Sequence, residues 1–409
     1  MRFKLKDGHQ LRQGHIFKQS FGRSIVMLLA AGLIFSLGVG VGNGRIRLQT
    51  NVSVNNLPNQ LDYSSVNQVY QALKDNYDGS LNEGQLLDGL KHGLAQATND
   101  PYTVYFTAQE AKQFSDQLNN SFSGIGAELG KDKDNNLIIV SPLSGYPADL
   151  AGLKPQDIIT SINGQTTTNL SIDQAISKIR GLAGTKVTLQ VIRNQSTQLS
   201  FTITRQNIQI PSVSTKIVDG NIGYIQIITF ADDTTSLIEQ AATKMAAAHV
   251  KGLVLDLRDD PGGLLDAAVS VSSQWLPTGA PILQEKRGQV VVNSYTASGN
   301  DPLHGIPTVV LINQGSASAS EITAGALHDD DAAYLIGAKS YGKGVVQQII
   351  NFRDGSQLKV TVASWYRPDG QNINKLGITP DQTVPLSDSD IQAGNDSQLK
   401  AAEAYLLKN

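Results

Sequence analysis

The chain has 409 residues, 40% of them apolar, which is too long for one ordinary domain and enough to build a core in each of several. It contains no cysteine, which excludes disulfides, iron–sulfur clusters and thiol catalysis while leaving the compartment open. The net charge of −3 gives no electrostatic ground for nucleic-acid binding.

That small charge is unevenly spread. Residues 1–45 carry seven Lys or Arg against a single acid, Asp7. From Ser24 to Gly44 the chain is uncharged and mostly apolar, and about 20 such residues suffice to cross a bilayer as a helix. The basic residues before this run predict that 1–23 is cytoplasmic and 24–44 an uncleaved transmembrane anchor, with the rest extracytoplasmic at the cell membrane. The Gly-rich end, Gly38 to Gly44, keeps open the alternative of a cleaved signal peptide and a secreted product.

Residues 45–61, rich in Asn, Gln, Val and Ser without periodicity, are expected to be a tether. A helical segment follows over 62–118, because Val66, Val69, Tyr70 and Leu73, then Leu86, Leu90 and Leu94, recur at helical spacing. Over 119–206, Gly124-Ile125-Gly126-Ala127, Pro147-Ala-Asp-Leu-Ala-Gly-Leu-Lys-Pro155, Asn163-Gly164 and the alternating Lys186–Arg193 together resemble a PDZ domain. Such domains add a peptide strand to a sheet edge, and the Gly124–Ala127 loop corresponds to the place where backbone N–H groups receive a terminal carboxylate. Tyr146 and Gln156 depart from the commoner serine and glycine. Arg180 ends the PDZ helix; it is either solvated charge or a contact that couples peptide binding to the next domain.

Over 207–390, strand-like and helical stretches alternate, which argues for α/β layering. The loop Asp256-Leu-Arg-Asp-Asp-Pro-Gly262-Gly263 closes one such strand. After the apolar run Thr308–Ile312 comes Asn313-Gln-Gly-Ser-Ala-Ser318-Ala-Ser-Glu321, and then Tyr341-Gly-Lys343-Gly-Val-Val-Gln347. A serine at a strand-to-helix turn and a lysine able to act as a base when poorly solvated suggest acyl transfer. Ser318 and Glu321 equally fit the S-x-x-E spacing of a helix cap, which needs no chemistry. His328, ten residues beyond Ser318 on the same helix, lies roughly 15 Å away at helical rise, too far for a general base. Asp329-Asp330-Asp331 is expected to be a solvated turn, and no metal-ligand spacing is present. Ser340 satisfies S-x-x-K with Lys343, but the flanking glycines interrupt the helix which that motif requires. Residues 391–409 close the chain with a short helix.

The loop 256–263, the motif Asn313–Glu321 and the motif Tyr341–Gln347 together resemble the C-terminal processing peptidases, tail-specific serine proteases of the Ser/Lys type. The resemblance implies an α+β multidomain chain with a crotonase-like α/β protease core, and a serine endopeptidase needing no cofactor and no metal. The family spacing of 25 residues between nucleophile and base selects Ser318 over Ser316 and Ser320, with Lys343 as base. It makes Gln347 the residue that orients the lysine, although on a regular strand Lys343 and Gln347 would stand roughly 13 Å apart. Backbone amides at Ala319 and at Gly262 or Gly263 are implied as the oxyanion hole, the glycines remaining unseparated. The implied partners are proteins with accessible C-termini and the membrane. In relatives the N-terminal helices mediate dimerisation, so a homodimer stands beside a self-contained helical cap. A PDZ scaffold without catalysis is the rival reading, against which the intact Ser318, Lys343 and Gln347 argue.

Overall fold

The computed structural model describes residues 57–194, 196–387, 389–390 and 394–408. The expected anchor at 24–44 and most of the tether lie outside them; among the described residues no helix is long and apolar enough to cross a membrane. Two compact units divide between Leu81 and Asn82. The described part of the first contains one helix, Ser64–Asn76, on which Val69, Tyr70 and Leu73 remain exposed.

The second unit starts with the helix Glu83–Gln96, and the helix Ala108–Leu118 follows. Between them lies something that periodicity does not reveal. Val104–Phe106 is a strand, paired antiparallel with Gln357–Tyr366 some 250 residues on. Three residues are too few to show alternation, and the pairing is wholly non-local.

The PDZ segment is an antiparallel sheet of Ala127–Lys131, Leu137–Pro142, Ile158–Ile162, Lys186–Arg193 and Thr197–Thr204, with a short strand Gln165–Thr166 on Ile158–Ile162. Val187, Leu189 and Val191, spaced by two, are buried against Ala175 and Ile179 of the helix Ile172–Ile179. Ser121–Gly124 pairs with Gln206–Gln209 and so brings the two ends of the segment together. The departures from the family pattern have structural counterparts. The Tyr146 hydroxyl donates to the Gln209 carbonyl at 2.6 Å, pinning its turn to that closing strand. Gln156 adopts φ 69°, a conformation glycine takes without steric cost.

The α/β layer is a six-stranded sheet in the order Val213–Val218, Ile222–Ile227, Gly252–Asp256, Thr308–Ile312, Tyr334–Gly337 and Gln382–Thr383. Only the first pair is antiparallel. The side-chain period of two sorts the apolar runs onto two faces. Leu253, Leu255, Val310 and Ile312 join Ile238, Met245, Ala268 and Leu327 from the helices Thr234–Ala247, Leu265–Ser272 and Ala319–Asp329. Val254, Val309 and Leu311 face the other way, onto Ala402 and Leu406 of the helix Ser397–Leu406. Each fully buried Leu, Ile or Val contributes about 1.5–3 kcal/mol, so the central strands hold their register strongly.

A second, antiparallel sheet carries Pro281–Arg287, Val290–Thr296, Val345–Asn351 and Gln357–Tyr366, together with Val104–Phe106. The site lies where this sheet meets the carboxyl ends of the parallel strands.

Candidate active site

Three loops converge. One follows the strand Thr308–Ile312 and leads into the helix that starts at Ala319. Here Ser318 has φ 55° and ψ −112°, a conformation costly for a side-chain-bearing residue and persisting only where its neighbours over-determine it. They do. Ser316 Oγ donates to the Leu257 carbonyl at 2.7 Å and accepts from Asn313 N–H at 2.9 Å, while Ser320 Oγ and Ala317 N–H both donate to the Asp260 carbonyl. Ser316 and Ser320 are thus fully buried scaffolding, and of the three serines only Ser318 reaches the cleft.

The second loop is 257–263. Its base is tied down by Arg258, which forks between Asp256 and Asp396 with N–O distances of 2.6–2.9 Å. Asn313 exchanges a reciprocal pair of 2.9 Å hydrogen bonds with Asp259, locking this loop to the serine loop. The two glycines differ. Gly262 N–H donates to Asp260 Oδ1 at 2.8 Å. Gly263 N–H and Ala319 N–H have no acceptor among the described residues. A Cβ on Gly262 would lie 2.8 Å from both Ala319 N and Ser318 Cβ, and one on Gly263 would lie 2.1 Å from the Phe230 carbonyl oxygen, so no larger residue fits at either position.

The third loop carries Lys343. A Cβ on Gly342 or Gly344 would come within 2.7 Å of the backbone at Gly377 and Asn374, which explains the glycine on each side. Trp365 Nε1 donates to the Lys343 carbonyl at 2.8 Å. Lys343 shares one cleft of about 570 Å³ with Ser318, Ala319, Gly262, Gly263 and Gln347. Its amine is not hydrogen-bonded to Ser318 Oγ here; it stands 5.4 Å from the centre of the Tyr102 ring. Burial, and then the charge of Lys359, lower the pKa of Lys343 against the opposing pull of Glu321. Lys359 lines the same cleft, with its own pKa lowered by burial and its ammonium over the Phe106 and Phe114 rings. A neighbouring cation and desolvation both favour the neutral form of a lysine. We expect Lys359→Gln to shift the acid limb of the pH–rate profile to higher pH, because Lys343 then holds its proton more tightly. An acid limb that stays in place would remove Lys359 from this account.

Gln347 lines the same cleft as Lys343 but makes no hydrogen bond to it. A register shift between Val346 and Gln347 bends the strand, and the Gln347 amide donates weakly to Thr361 Oγ1 at 3.4 Å. Ser340, the S-x-x-K serine, is buried, donating to Glu321 and accepting from Ile378 N–H. His328 stays at the far end of its helix, against Asp381. Asp329 is not solvated as expected: its side chain is 6% exposed and ion-paired with Arg367, an arginine too distant in sequence for the acidic run to announce.

The S-x-x-E spacing conceals a larger role for Glu321. Oε2 accepts Ser318 N–H at 3.0 Å and Lys343 N–H at 2.9 Å; Oε1 accepts Ser340 Oγ at 2.5 Å and Gly342 N–H at 2.7 Å. One fully buried carboxylate therefore joins the serine turn to the lysine loop.

At the PDZ end, Gly124, Ile125, Gly126, Ala127 and Arg180 border a small cleft of about 70 Å³. The Arg180 guanidinium lies 4.6 Å from the centre of the Phe122 ring and makes no hydrogen bond or ion pair among the described residues.

Residues 221–384 match Peptidase family S41 and residues 138–193 match the PDZ domain. The chain is 37% identical over 328 residues to carboxy-terminal processing protease CtpA of Bacillus subtilis (strain 168), spanning 80% of this chain and 70% of that one. It is 38% identical over 341 residues to CtpB of the same organism, spanning 82% and 70%. A solved structure from Bacteroides fragilis that bears the S41 name aligns over 85% of this chain and 97% of its own with a TM-score of 0.55; at 17% identity this is a likeness of fold alone.

Proposed function

Since the chain belongs to the carboxy-terminal processing proteases of peptidase family S41, serine endopeptidases with a PDZ domain, we propose that it cleaves with a Ser318/Lys343 dyad. The observation that carries this reading is the convergence of a serine in a strained turn, a desolvated lysine and two N–H groups without acceptors on a single cleft. Ser318 Oγ attacks the peptide carbonyl carbon while neutral Lys343 takes the hydroxyl proton. The oxyanion is held by Gly263 N–H and Ala319 N–H, preorganised donors worth several kcal/mol in a dry site. The tetrahedral intermediate collapses, the C–N bond breaks and Lys343 returns the proton to the departing amine. Water then attacks the acyl-enzyme with Lys343 again as base. Gln347 orients Lys343 once substrate tightens the cleft, since catalytic hydrogen bonds are often long without substrate.

The PDZ domain, in this reading, receives the substrate's terminal carboxylate at Gly124–Ala127, beside the Arg180 charge, and Arg180 couples that event to the protease layer. The segment 24–44 anchors the enzyme with its catalytic part outside the cell. The test uses an unstructured protein with an apolar tail, supplied with a free or an amidated C-terminus. We expect the free tail to be cut at least about tenfold faster, the amide having lost one charge-assisted hydrogen-bonding group. Equal rates would mean that the tail is not read through its carboxylate.

A further inference from the structure

Asp260 precedes Pro261 and the glycine pair Gly262-Gly263, and the dyad chemistry makes no use of it. It is completely buried. Oδ1 accepts Gly262 N–H at 2.8 Å, and Oδ2, also buried, has no hydrogen-bond partner among the described residues. Its backbone carbonyl receives Ala317 N–H and Ser320 Oγ, so this residue joins the glycine loop to the serine turn on both sides of the oxyanion donors.

We propose that Asp260 is a positioning residue which acts as a neutral carboxylic acid, setting Gly262 so that the Gly263 N–H points into the cleft, and that its ionisation disables the oxyanion hole. The inference rests on the acyl-transfer reading above. Among the described residues no cation is ion-paired with Asp260. Arg258, two residues earlier, is engaged by Asp256 and Asp396; Asp259 is engaged by Asn313. From the serine helix, Glu321 is turned to the lysine loop, and on the turn after Phe230, Asp233 is turned to Ser212 N–H. Lys343 and Lys359 line the cleft and are themselves held toward neutrality by burial.

An ionised carboxylate with one oxygen unpaired and buried is far costlier than the neutral acid. Burial accordingly pushes the Asp260 pKa up to about 8, against the smaller opposing effects of Gly262 N–H and Ser320. A negative charge there would also repel the oxyanion forming at the neighbouring Gly263 N–H. The same proton governs stability. With the folded pKa above the ordinary carboxylate value, the contribution of Asp260 is complete below about pH 4. It declines as pH rises and is gone above about 8.

The experiment compares kcat/KM against pH for the full chain and Asp260→Asn, with Asp260→Ser as a second neutral acceptor for Gly262 N–H. We expect the wild type to lose about tenfold per pH unit above its descending pKa, as for one essential proton, and both variants to lose that limb. Descending limbs that coincide in all three proteins overturn the proposal. In parallel, melting temperatures are compared in a Ser318→Ala background, where activity is irrelevant. The advantage of Asp260→Asn over Asp260 should grow between pH 4 and pH 8 and then level off, and a constant difference counts against a buried neutral acid. Residual cleavage by Ser318→Ala would sink the acyl-transfer reading, whereas the melting comparison would still judge the ionisation state of Asp260.

Discussion

Ser318→Ala and Lys343→Ala are each expected to lower kcat/KM by about 10⁴-fold or more, the scale seen when one member of a cooperating nucleophile–base set is removed. Unfolding free energies should stay within about 1 kcal/mol of the parent. Ser316 and Ser320, not Ser318, hold the surrounding loops together, and Lys343 brings a desolvated side chain rather than a buried ion pair. Lys343→Arg should be as inactive as Lys343→Ala, because guanidinium keeps its proton at any accessible pH and cannot take one from Ser318. Activity retained in Lys343→Arg would require a different base. His328 does not meet that need from its place against Asp381. The same reasoning fixes the sign of the pH response. Cleavage should rise as pH climbs through the lowered pKa of Lys343, since only the neutral amine accepts the serine proton.

The fold was legible where the pattern is local and repeated. Lys186–Arg193 alternates and is a strand; Val66 to Leu73 recurs at helical spacing and lies on a helix; the apolar runs at 252–257 and 308–312 are buried parallel strands. Ser318 and Lys343 came from the spacing of a long, specific motif, and Ser318 is half-buried between two fully buried serines. What stayed hidden is contact between positions far apart. Nothing near Val104 announces a partner at Lys359, and nothing in the acidic run at 329–331 announces Arg367. The glycines at 262 and 263 are indistinguishable as letters; Asp260, two residues away, separates them by occupying one N–H. Gln347 marks the opposite limit. Its motif position pairs it with Lys343, whereas its amide here donates to Thr361 Oγ1 beside a register shift in the strand.

Glu321 is the position where the second large effect is expected. Removing its side chain leaves Ser318 N–H, Gly342 N–H, Lys343 N–H and the Ser340 hydroxyl without their acceptor, in a site with little access to water. Unsatisfied buried donors cost about 1–3 kcal/mol each, and even with partial relaxation Glu321→Ala should lose at least about 3 kcal/mol of stability. The strained turn at Ser318 also loses one of its restraints, so kcat/KM should fall at least about 100-fold beyond any loss of folded protein. Glu321→Gln separates shape from chemistry. Its amide oxygen can keep one pair of donors, best the two backbone N–H groups of Ser318 and Lys343. The amide nitrogen then faces Ser340, whose hydroxyl can turn to accept, and Gly342 N–H, which cannot. We therefore expect a stable protein whose kcat/KM is lowered by about 10–100-fold, measured on the folded fraction by active-site titration. Full activity in Glu321→Gln would show that the link between the serine turn and the lysine loop is dispensable. The geometry of the dyad would then have to be held by the glycine contacts at 342 and 344 alone.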